Sequence, residues 1–83
     1  MPWDLDHPLS LMSISSKYKI SDIDDAGAVQ YYGFVDRNGE WFIMELDTSA
    51  SPKTFRYANG TNDYSTNWGV RSLLSYNYYD NVF

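Results

Sequence analysis

The chain predicts a mainly β fold: a small antiparallel β-meander of four to five strands with one short helical turn and an extended N-terminal arm. Three observations carry this. Residues 30–46, QYYGFVDRNGEWFIMEL, place two runs of aromatic and β-branched residues on either side of Asn38-Gly39, the strongest short-range hairpin signal. Turn-forming clusters (DIDDAG at 22–27, DTSASP at 47–52, ANGTND at 58–63) punctuate the rest at strand-length spacing. No apolar periodicity long enough for a substantial helix interrupts them.

The elements follow in order. Residues 1–15 hold Pro2, Trp3 and Pro8 among alternating acids and read as an extended arm; 16–83 form one small β domain. Residues 11–14 and 17–20 alternate apolar with polar, as short strands do. In the central hairpin, Asn38-Gly39 suits a two-residue type I′ turn, which pairs Arg37 with Glu40. Period 2 then puts Tyr31, Gly33, Val35, Phe42, Met44 and Leu46 on one face, and Tyr32, Phe34, Asp36, Trp41, Ile43 and Glu45 on the other. Both faces are apolar, and a chain this small is expected to need a partner to cover them.

Residues 53–57 read as a third meander strand, followed by a turn with Gly60 at its left-handed position. Ser65 or Thr66 is placed to cap a single helical turn through Asn67, Trp68 and Arg71, which Gly69 weakens. Residues 72–83 alternate Leu74, Tyr76 and Tyr78 with Ser75, Asn77 and Tyr79, a strand pattern ending in Val82-Phe83.

Composition narrows the function. Eighty-three residues make one domain, and a chain of 9.6 kDa is expected to bury roughly 60–65% of its unfolded surface, so its stability is marginal. With no cysteine there is no disulfide and no thiolate metal site. The net charge of −5 argues against a phosphate-backbone partner, so no nucleic acid is expected. No run approaches membrane-span length, and MPWDLDHPL lacks the basic and apolar regions of a signal peptide, so neither membrane nor export is expected.

No chemistry-bearing constellation emerges. Asp22, Asp24 and Gly27 fit positions one, three and six of a calcium loop, but Ala26 and Gly33 occupy ligand positions five and twelve, so solvated acids in a turn are the better reading. His7 is the only histidine and stands without metal or triad partners. Glu40 and Glu45 are the only glutamates, and so small a fold has little room for a sugar-cleaving cleft. The chain therefore reads as no enzyme, with no cofactor and no metal. Aromatics reach 18%, which suits surfaces buried in an assembly. The alternative use of Trp41, Trp68, Tyr76, Tyr78 and Tyr79 is a platform that stacks on sugar rings, as in a carbohydrate-binding module.

Several local patterns occur together: Tyr31-Tyr32-Gly33, Asp-x-x-Gly-x-Trp-Phe-Ile-Met from Asp36 to Met44, Arg56-Tyr57-x-x-Gly60, Asn67-Trp68, and the Tyr-rich tail from Tyr76 to Phe83. In these the chain, over residues 17–83, resembles small proteins encoded in the structural gene regions of tailed bacteriophages. The resemblance implies a virion component made in the host cytoplasm: a small adaptor or decoration protein bridging larger virion proteins, at the tail or a fibre attachment rather than the capsid. Its partners would be other virion proteins or further copies of itself; under the alternative, a host-surface glycan. It carries over no active site. The residues expected at interfaces are Trp3 of the arm; Tyr32, Phe34, Trp41, Phe42 and Ile43 of the hairpin; Trp68 and Arg71 at the rim; and Tyr76, Tyr78, Tyr79 and Phe83 as a second contact. Either exposed sheet edge is open to strand addition, with the last strand as donor or acceptor and Phe83 as its anchor.

Overall fold

The structure is a computed structural model that describes residues 17–83. The arm, its Trp3 and the strand expected at 11–14 lie outside the described residues. Four strands, β1 (Lys19–Asp24), β2 (Val29–Val35), β3 (Trp41–Asp47) and β4 (Thr54–Gly60), form one antiparallel sheet in the order β1-β2-β3-β4. Two short helices, α1 (Tyr64–Gly69) and α2 (Tyr79–Val82), flank a 3₁₀ turn at Arg71–Leu73. The expected meander is therefore present. Its first strand continues through Asp24, so Asp22 and Asp24 of DIDDAG belong to β1 rather than to a turn.

The hairpin forms in a different register from the one expected. Val35 faces Trp41 and Phe34 faces Phe42, one residue out of step with an Arg37–Glu40 pair. Only Gly39 takes positive φ (89°), and its N–H donates to the Asp36 carbonyl at 3.2 Å. The connection is thus a type I turn closed by a glycine bulge, not a type I′ turn. Asp36 is the physical reason: its Oδ1 accepts the N–H groups of Asn38 at 2.8 Å and Glu40 at 2.9 Å, which fixes the three-residue loop.

A slip of one residue transfers every β3 side chain to the opposite face. The first face now carries Tyr31, Val35, Trp41, Ile43 and Ala58. The second carries Tyr32, Phe34, Phe42, Met44, Leu46, Phe55 and Tyr57. β1 adds Ile20 and Ile23 to the second face, because a bulge between Ile20 and Asp22 resets its alternation.

The core lies on the first face. Trp41 is 4% exposed and Ile43 0%, and Tyr64, Trp68, Leu74 and Tyr76 pack over them. Two glycines make room for that cover. A Cβ at Gly33 would fall on the Tyr64 hydroxyl, and one at Gly60 would stand 2.5 Å from the Trp41 ring. Gly60 ends β4 as the floor beneath Trp41, and the left-handed residue is Asp63 (φ 57°), just before α1. Ser65 and Thr66 lie inside α1, and no side-chain cap starts it.

The C-terminal segment is not a strand. Only Asn77 joins the sheet, exchanging both backbone hydrogen bonds with Tyr57 at 2.7 and 2.9 Å. Tyr76 therefore stays on the first face, while the chain passes around the β4 edge and lays α2 on the second. Asn77 Oδ1 turns the corner by accepting from the Tyr78 N–H at 2.8 Å and the Asn81 amide at 3.3 Å.

Candidate functional site

Among the described residues, the second sheet face is covered at one end only. Phe42 sits in an aromatic nest, with Phe34 stacked at 4.5 Å, Tyr18 edge-on at 5.0 Å and Phe83 edge-on at 5.3 Å. Tyr57 meets Tyr79 at 5.3 Å and Phe83 at 6.2 Å. These edge-to-face contacts anchor α2. Beyond them the face opens: Ile20 is 52% exposed, Ile23 55% and Phe55 49%. Tyr32, Met44 and Leu46 lie half-buried between these strands, so the exposed side chains border one continuous apolar surface.

The sheet edges differ. Asn77 occupies part of the β4 edge. The β1 edge has no ladder partner among the described residues, but it is bulged and carries Lys19, Asp22 and Asp24. Bulges and charges are the usual protection of an edge against further strands. The open surface on this sheet is a face rather than an edge.

The residues expected at interfaces separate into three groups. Trp41, Phe42 and Ile43 are buried within the fold itself. Trp68, Arg71, Tyr76 and Tyr78 act within the chain: the Arg71 guanidinium lies 4.5 Å from the Trp68 ring and binds Asp24 Oδ2 at 2.8 Å, tying the helical segment to β1, while Tyr76 packs on the core and Tyr78 lies against Arg56. Tyr32, Phe34, Tyr79 and Phe83 belong to the second face, and Trp3 lies outside the described residues. The five rings proposed as a sugar platform do not share a surface. Trp41, Trp68 and Tyr76 serve the first face, Tyr79 packs on the second, and Tyr78 lies against Arg56 at 4.1 Å. Sequence reasoning missed Ile20, Ile23 and Phe55, because the β1 bulge and the hairpin register decide which way they point.

Polar contacts on the first face are structural. The Tyr64 hydroxyl donates to Asp22 Oδ2 at 2.8 Å, and that of Tyr76 to the Arg71 carbonyl at 2.8 Å. Burial, first of all, raises both phenol pKa values well above their usual range; the hydrogen bond to Asp22 adds to this for Tyr64. The hydrogen bond from Arg71 lowers the Asp24 carboxyl below its usual value. Among the described residues, no group of three His, Cys, Asp or Glu side chains is placed to hold a metal, and no helix is long and apolar enough to cross a membrane.

The described residues define a class: a four-stranded meander, one face closed by helical cover and the other left half open by them. No family model, curated protein or solved structure matches the chain.

Proposed function

We propose that the chain is a non-enzymatic structural protein of a bacteriophage virion, an adaptor or decoration component that bridges larger virion proteins. The observation that carries this reading is the half-open apolar face bordered by Ile20, Ile23 and Phe55. Contiguous apolar surface on a small chain is a liability in isolation and an interface in an assembly. The sequence resemblance to structural-region phage proteins supplies the setting. At about 25 cal/mol per Å², a partner covering a standard 800 Å² or so on this chain gains enough to hold it, although area does not convert directly to affinity. The attachment is favoured at the tail or a fibre rather than on the capsid, following the same resemblance.

Quantitative mass spectrometry of gradient-purified particles of the encoding phage tests this. A fixed copy number per particle is expected. A chain abundant in the infected cell yet absent from purified particles would overturn the proposal in favour of a regulatory protein.

A further inference from the structure

Half of the chain's six basic residues meet at one corner. Lys17, Lys19 and Arg37 line an open pocket of about 460 Å³ together with Val35, Asp36 and Asn38. In a chain of net charge −5 this is a local reversal of sign. Arg56 and Arg71, by contrast, are engaged by Tyr78 and Asp24. Among the described residues, neither Lys19 nor Arg37 forms an ion pair.

The second observation is Asp36. It is 8% exposed, and its two oxygens are used unequally. Oδ1 accepts the two turn N–H groups, while Oδ2 is buried with no hydrogen-bond partner among the described residues. The nearest charge, Lys17 Nζ, stops 3.9 Å from Oδ2 because it binds Glu40 Oε1 at 2.8 Å. A buried acceptor left unpaired costs about 1–3 kcal/mol, more when charged, so it is a strong docking point for an incoming donor. Lys17 is half exposed, and swinging its end aside to admit that donor breaks its surface pair with Glu40 and its longer contact with Asp36 Oδ2, whose place the incoming hydroxyl takes.

We propose that this corner binds an anionic saccharide unit, a sugar carrying a phosphate or carboxylate group. The anion sits between Lys19 and Arg37, and a ring hydroxyl donates to Asp36 Oδ2. The chemistry selects this class in two steps. Two unpaired cations beside a third call for an anion, and arginine suits the planar or forked oxygens of carboxylate and phosphate. The donor to Asp36 must be neutral, because an ammonium there would crowd Lys17, Lys19 and Arg37; a sugar hydroxyl meets that condition. Val35 leaves an apolar patch for the C–H face of the ring. This site is separate from the half-open apolar face and does not depend on its role.

Titration of the full-length ¹⁵N-labelled chain at low ionic strength with glucose 6-phosphate, glucuronate, glucose, glycine and inorganic phosphate tests the proposal. The amides of residues 36–40 are expected to shift with both acidic sugars, and at least about tenfold more weakly with phosphate or glucose, the worth of one well-made hydrogen bond to a charged group. Glucose 6-phosphate above glucuronate assigns the phosphoryl form, and the reverse order the carboxyl form. Lys19→Ala with Arg37→Ala should abolish both responses. Asp36→Asn keeps an acceptor for the turn but cannot accept at Oδ2, so glucose 6-phosphate should fall to the affinity of inorganic phosphate. Should Asp36→Asn fail to fold, the ligand series on the unaltered chain carries the decision. Equal binding of phosphate and glucose 6-phosphate, tighter binding of glycine, or no shift at 36–40 with either acidic sugar would overturn it.

Discussion

Asp36 shows how much one side chain decides in this protein. The Asp-x-Asn-Gly run is compatible with a two-residue turn at Asn38-Gly39 and with a three-residue turn closed by Gly39. The second wins because a carboxylate at the first turn position satisfies two loop N–H groups at once. An Asp three residues before a Gly is itself a type I turn signal, so the sequence carries this register beside the one that Asn-Gly suggests. The consequence is that Trp41 and Ile43 join the core. Trp41→Ala should therefore cost about 3–5 kcal/mol in urea unfolding, since it empties the core and also removes the indole N–H donated to the Asn62 carbonyl at 2.6 Å. Ile23→Ala, at an exposed position, should cost less than about 1 kcal/mol. The buried phenols give a second residue-scale test. Tyr64 and Tyr76 have raised pKa values, so the native state favours their neutral forms. That stabilisation is whole below the ordinary phenol pKa near 10 and is lost as pH rises beyond it. Absorbance titration of the tyrosines should show at least these two phenols delayed and ionising together with alkaline unfolding.

Among the elements, the four strands were readable from alternation and turn residues, and the C-terminal segment was not. Its alternating Leu74, Tyr76 and Tyr78 fit a strand because those positions are extended where the chain crosses the β4 edge. What ends the strand is Asn77, whose side chain takes up the Tyr78 N–H and starts the turn into α2. A four-residue helix has no intrinsic stability, so α2 depends on Tyr79 and Phe83 packing against Tyr57 and Phe42. Phe83→Ala should then cost about 1 kcal/mol, the worth of a half-buried ring, and release the protection of the Phe83 amide in hydrogen exchange. The helical cover of the first face fails differently. Gly33→Ala places a methyl where the Tyr64 hydroxyl lies, so it should lift α1 and lower the thermal midpoint while the sheet's circular dichroism persists.

At the scale of the whole molecule, the sheet divides its surroundings unequally. The first face is closed by α1 and the segment to Tyr76, and Arg71 fastens that cover to β1 through Asp24. Because that contact holds the Asp24 carboxyl below its ordinary value, its stabilisation is present above the ordinary carboxylate range and disappears as pH falls through the lowered value. Thermal midpoints of the unaltered chain and Asp24→Asn should accordingly differ at neutral pH and converge in acid. That both hairpin faces are apolar was legible in the sequence; that the described residues cover one and only part of the other was not, since it depends on the path of the last residues around β4. The remaining surface is the basis of the proposed role in a virion. Its most direct test is the incorporation of Ile23→Glu with Phe55→Glu into phage particles, measured by mass spectrometry against Asp25→Asn as a control in an exposed turn. Circular dichroism first establishes that each variant is folded. The account predicts incorporation of the double variant at least about tenfold below that of the control, as for loss of an interface anchor. Equal incorporation of the two folded variants would contradict it.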